Sequence, residues 1–99
     1  MKTSAEGLAT ATAYELPVRV LRELIDEIVL VSDNEDMKRA VKTIFLATGQ
    51  VAELSGATST AAAFKLKEQL AGRKVVLLLS GGNIQHDQLA SILTDVSSF

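Results

Sequence analysis

Five consecutive apolar residues, Val75 to Leu79, run directly into Ser80, Gly81, Gly82 and Asn83 within the stretch KVVLLLSGGNIQHDQL. A run with no polar residue in alternation reads as a strand of a sheet covered on both faces. The backbone of such a strand has to leave the core at a turn. Glycines at that turn let the main chain come close to whatever lies beyond it. In open α/β sheets the space past the carboxyl ends of the strands is where ligands bind. Ser80 adds a hydroxyl that both donates and accepts, and free N–H groups at a following helix start favour an anion or an electron-rich acceptor. The competing reading is a plain strand-to-helix turn in which Ser80 or Asn83 caps the last helix. The four residues are neither a Walker loop nor a dinucleotide fingerprint.

The rest of the composition agrees with an α/β fold. Apolar residues make up 47% of the chain and aromatic residues 4%, so the core has to be aliphatic. With 99 residues the chain is read as a single domain, 1–99, able to bury an adequate but not a generous core. Twelve acidic and ten basic residues give a net charge of −2 with no basic cluster, which argues against nucleic acid as a partner. The absence of cysteine removes disulfides, thiol catalysis and thiolate metal ligands, and makes the cytoplasm the expected compartment. No apolar stretch approaches the roughly 20 residues of a membrane span, and the amino terminus lacks the apolar core of a signal peptide.

Periodicity yields the order loop, helix, strand, helix, helix, strand, helix. Residues 1–16 are read as extended or loop. Pro17 suits a first helical turn, and Val18, Leu21, Leu24 and Ile25 then share a face of a helix ending near Asp26. Glu27–Ser32 is a β-branched run of strand length. Ser32 and Glu35 have the spacing of a capping box, so a helix is expected from about Asp33. Its buried stripe is Met37, Ala40, Val41, Ile44, Phe45 and Thr48, with Gly49 taking the left-handed position after the last turn. Residues 52–71 read as one alanine-rich helix with Ala57, Ala61, Phe64 and Leu70 inward, closed by Gly72. Lys74–Leu79 is the second strand, and Leu89, Ile92, Leu93 and Val96 mark the last helix. The expected fold class is therefore α/β, a sheet of two strands, or three with one from residues 3–14, and about four helices.

Four short motifs then come in a fixed order: Ala5, Glu6, Gly7; Asp26, Ile28, Val29, Val31, Ser32; Glu53, Ser55, Gly56, Ala57; and Ser80 to Asn83. Over residues 3 to 84 this series resembles the carboxyl-terminal part of the threonine dehydratase and serine racemase family, enzymes of fold type II that use pyridoxal phosphate (PLP). The resemblance implies that Ser80 lies against the pyridine nitrogen of the cofactor, that Gly81 and Gly82 leave room for the ring, and that Asn83 and Glu53 border the pocket. A neutral hydroxyl at that nitrogen moderates the electron sink in comparison with a carboxylate. Leu54 stands where the family usually has proline.

The resemblance also implies a cofactor-bearing lysine in a serine-x-lysine-x-arginine-glycine context and a run of glycines for the phosphate. Neither occurs in these 99 residues, and Lys2, Lys38, Lys42, Lys65, Lys67 and Lys74 match no such motif. His86 is expected to face solvent at the start of the last helix. Asp33, Glu35 and Asp36 are read as first-turn residues that complement the helix dipole, and Ser55 and Ser80 lack a base for a hydrolase triad. The expected function is the carboxyl-terminal piece of a PLP-dependent amino-acid ammonia-lyase, inactive alone and completed by the missing portion. The alternative is a self-associating interaction module that has kept the fold and lost the chemistry. Two strands would leave open sheet edges, so a homodimer or higher oligomer through Glu27–Ser32 or Lys74–Leu79 is expected in either case.

Overall fold

The computed structural model describes residues 2–96, and among these the regular structure is entirely helical. Helix α1 spans Glu15–Leu24, α2 Lys38–Thr48, α3 Thr58–Lys65, α4 Lys67–Leu70 and α5 His86–Thr94. Short 3₁₀ turns lie at Glu6–Leu8 and Ser55–Ala57, and a single wide π-type turn, Asp33–Met37, leads into α2.

Local chemistry explains most boundaries. The Ser32 hydroxyl accepts from the Glu35 amide at 3.3 Å, which is half of the expected capping box. The reciprocal half is made by Asp36, whose carboxylate accepts from the Ser32 amide at 2.7 Å. The wide turn, closed by the Met37 amide on the Ser32 carbonyl at 2.9 Å, displaces the return partner by one residue. Gly49 ends α2 at φ 74° with its amide on the Phe45 carbonyl, and Gly72 has φ 76°. Helix α1 starts two residues before Pro17 and ends at Leu24.

The core is small. It consists of Ala5, Met37, Ala40, Val41, Ala52, Leu54, Ala57, Ala61 and Ile92, with Val31, Ile44, Phe64, Ile84 and Leu89 packed around it. Five of these nine residues are alanine, so α2, α3 and the two short turns approach one another closely while burying little area per residue. Of the stripe expected on α2, Thr48 is exposed. The segment read as one helix over 52–71 is divided at Leu66 into α3 and α4. No residue of α1 is buried, so the apolar face assigned to it has no covering layer.

The α/β fold with a sheet of two or three strands is not what forms. Among the described residues there is no strand: 27–32 and 74–79 are extended but lie in no ladder, and 3–14 contributes only the Glu6–Leu8 turn. The reason lies in what β-branched residues encode. They suit a pleated, half-buried surface, but a strand exists only where a neighbouring backbone lies about 4.8 Å away to accept and donate. Here both segments run beside α3, whose side chains take individual carbonyls. Ser59 donates its hydroxyl to Leu78 O at 2.6 Å, and Lys65 donates its ammonium to Leu30 O at 2.6 Å. Exposure still alternates as in a strand with one face covered: Val75, Leu77 and Leu79 are 42–44% exposed, against 95% and 73% for Val76 and Leu78.

Candidate functional site

The segment 80–83 is held against residues 51–57 by backbone alone. The Glu53 amide donates to the Gly81 carbonyl at 2.9 Å, and the Ser80 amide reaches the Gly56 carbonyl at 3.4 Å. Three glycines here are set by space rather than by φ, which is positive at none of them. A Cβ on Gly56 would stand 2.6 Å from the Gly81 nitrogen, one on Gly82 would stand 2.7 Å from the Val51 carbonyl oxygen, and one on Gly81 would meet the Glu53 side chain, with its Cδ at 3.0 Å. The room made by Gly81 and Gly82 is thus filled, where a Cβ would stand, by the chain itself.

Glu53 is half-buried at this junction and its carboxylate accepts from the Ser55 hydroxyl at 3.0 Å. Leu54, beside it, is 1% exposed and has φ −58°, a value that proline also adopts, so the leucine leaves the backbone course of this turn open to proline. A third segment joins from the amino-terminal side, where a Cβ on Gly7 would stand 2.6 Å from Ser55 Oγ. Between Ser4, Glu6, Glu53, Asn83, Gln85 and Gln88 lies a hollow of about 20 Å³, room for a single water. Ser80 and Asn83 are exposed, and the Ser80 hydroxyl bonds no group among the described residues.

The four sequence motifs therefore do not all meet. Glu6 and Gly7, Glu53 to Ala57 and Ser80 to Asn83 come together; the Asp26 to Ser32 motif joins them only through the core, where Val31 packs, while its Leu30 carbonyl accepts from Lys65 at the far end of α3. Neither Ser80 nor Asn83 caps the last helix, which starts only at His86 with Gln85 as its uncapped first position. His86 is exposed. Asp33 is engaged by the Thr3 hydroxyl and the Ser4 amide, both at 2.5 Å, so it ties the amino-terminal segment to the start of α2. Three lysines reach local acceptors: Lys38 on Asn34, Lys42 on the Asp95 carbonyl and Lys65 on Leu30. Sequence reasoning did not assign any part to Gly7 or Ser55 in orienting Glu53. Their place inside two of the motifs was the available signal.

A family model described as pyridoxal-phosphate dependent enzyme matches residues 1–81. The L-threo-3-hydroxyaspartate ammonia-lyase of Saccharomyces cerevisiae is 36% identical over 94% of this chain, and the catabolic L-threonine dehydratase of Escherichia coli is 34% identical over 91%. The serine racemase of Schizosaccharomyces pombe is 31% identical over 94% of the chain. The chain spans 28% of the length of each of these relatives. With the family model covering most of its residues, the chain belongs to the pyridoxal-phosphate dependent enzymes.

Proposed function

We propose that this chain forms the wall of a PLP-dependent amino-acid ammonia-lyase site that faces the pyridine nitrogen, in a protein of the threonine or serine dehydratase kind. The observation that carries the reading is the Ser80–Asn83 turn, fixed through its backbone to Glu53 and Gly56 while the Ser80 hydroxyl stays free and exposed. Such a hydroxyl fits the ring nitrogen of a pyridine, with Gly81, Gly82 and Asn83 flanking it and Glu53 at the margin. The same surroundings do not fit a phosphate, because the charged side chains around the hollow, Glu6 and Glu53, are both carboxylates. PLP, when bound, supplies the electron sink for the reaction. The chain supplies orientation at one edge, and the lysine and phosphate cradle come from a complementing portion. A reducing cytoplasm suits its cysteine-free composition.

The test has two stages. PLP mixed with the 99-residue chain is expected to leave no absorbance after dialysis, and borohydride is expected to fix no label on a single lysine. Mixing with the part of the E. coli threonine dehydratase that precedes the matched region is expected to yield 2-oxo acid from threonine or serine, and Ser80→Ala to lower that rate. A retained single-site adduct on the chain alone, or reconstituted activity indifferent to Ser80→Ala, would count against the reading.

Exposed area supports a second reading, self-association in the absence of the complement. A folded monomer of 10.5 kDa exposes about 5,400 Å², whereas this chain exposes 7630 Å². The excess of roughly 2,000 Å² is the scale that an obligate interface covers. Leu30 at 80% and Val76 at 95% exposure mark where it lies, on the two extended segments.

A further inference from the structure

We propose that Ser55 is the positioning residue that fixes the direction of Glu53, and that it works from a socket which Gly7 keeps open. The inference deepens the reading of Ser80–Asn83 as a cofactor-facing turn and rests on it for its functional meaning. A glutamate has three side-chain torsions, and a half-buried one with nothing to hold it samples several rotamers. Here the Ser55 hydroxyl, two residues further on, donates to Oε2 at 3.0 Å. The hydroxyl is itself confined, because Gly7 lies so close that any Cβ there would stand 2.6 Å from Oγ and 3.2 Å from the Ser55 Cβ.

With Oε2 tied, the other oxygen has one place to go. Oε1 lies over the Cα of Gly81 and accepts no hydrogen bond from a described residue. The carboxylate therefore offers its remaining acceptor beside the same turn that carries the free Ser80 hydroxyl. A ligand group with a hydroxyl or N–H donor is the chemistry this free acceptor takes. Ser55 does not touch that group and acts through Glu53.

The test uses nuclear magnetic resonance on the full 99-residue chain, with 4-deoxypyridoxine as a probe that lacks the aldehyde, and so requires no lysine, and lacks the phosphate, which the carboxylates here do not fit. Through-space contacts between the Glu53 side chain and the Gly81 α-protons are expected in the parent chain and in Ser55→Thr. They are expected to be lost in Ser55→Ala and in Gly7→Ala, with the unfolding midpoint of Ser55→Thr and Ser55→Ala alike. Probe binding, followed at the Ser80 to Asn83 amides, is expected to weaken about three- to tenfold in Ser55→Ala, the loss of one hydrogen bond's worth of orientation, and to be restored by Ser55→Thr. Unchanged Glu53 to Gly81 contacts in Ser55→Ala would overturn the positioning role. Absence of any probe response in the parent chain would instead refute the cofactor-facing reading of the turn, while the contact measurement still decides the part played by Ser55.

Discussion

The amide of Glu53 donates to the carbonyl of Gly81 at 2.9 Å and, with the longer contact from the Ser80 amide to the Gly56 carbonyl, joins the turn that carries the carboxylate to the turn that carries Ser80. Because main-chain atoms make these bonds, substitutions of the polar side chains Glu53, Ser55 and Ser80 alter the chemistry offered there without undoing the junction. Changes that force the two backbones apart do undo it.

Gly56 and Gly82 abut backbone atoms, which cannot swing away, whereas Gly81 abuts the end of a glutamate side chain, which can. Gly56→Ala and Gly82→Ala are expected to cost about 1–3 kcal/mol each, the usual range for overpacking. Gly81→Ala is expected to cost less than about 1 kcal/mol. Urea unfolding followed by circular dichroism gives the order, and equal losses at all three sites would contradict the contact geometry.

Ser80 and Ser32 make a matched pair for separating a ligand-facing hydroxyl from a structural one. Ser32→Ala removes the acceptor for the Glu35 amide and should cost about 1 kcal/mol. Ser80→Ala removes an exposed hydroxyl with no partner among the described residues and should stay within about 0.5 kcal/mol. Thermal melts of the two variants side by side decide between the roles.

Leu54 is, with Val41, the largest fully buried side chain. Five of the nine core residues are alanine, so the core has little material to close over its place and Leu54→Ala should cost about 2–5 kcal/mol. The loss should also release the Ser80–Asn83 turn, visible as faster hydrogen exchange at the Glu53 amide.

Association should follow the exposed faces of the extended segments. Sedimentation equilibrium at micromolar concentration is expected to show dimers or larger species of the isolated chain. Val76→Lys and Leu30→Lys, which place charge on those faces, should shift the population to monomer without lowering helix content. A parent chain that sediments as monomer would remove the second reading.

The helical parts were legible because their signals are local. The Ser32 cap, the left-handed Gly49 and the Met37, Ala40 and Val41 stripe depend on residues within one or two turns of each other. The sheet was misread because strand pairing is not local. Ile28 to Val31 and Val75 to Leu79 have strand composition and strand alternation of exposure, yet the property that makes a strand belongs to a second backbone. At the junction, the residue types of the motifs identified Glu53 and Ser80 to Asn83 as a group. The reason for the glycines was not legible, since what a Cβ would strike at Gly56 or Gly82 depends on which segment folds against it. Continuous apolar periodicity likewise hid the break at Leu66, where the last turn separates as α4.

Val75 to Leu79, five apolar residues without a charge or a proline, also has the signature of a segment that stacks with its own kind into cross-β fibrils. The sequence brackets it with Arg73 and Lys74 on one side and the paired glycines on the other, which are the residues that interrupt such stacking. In a chain that leaves Val76 almost wholly open to water, these few flanking positions set how concentrated a solution can become before it gels or precipitates.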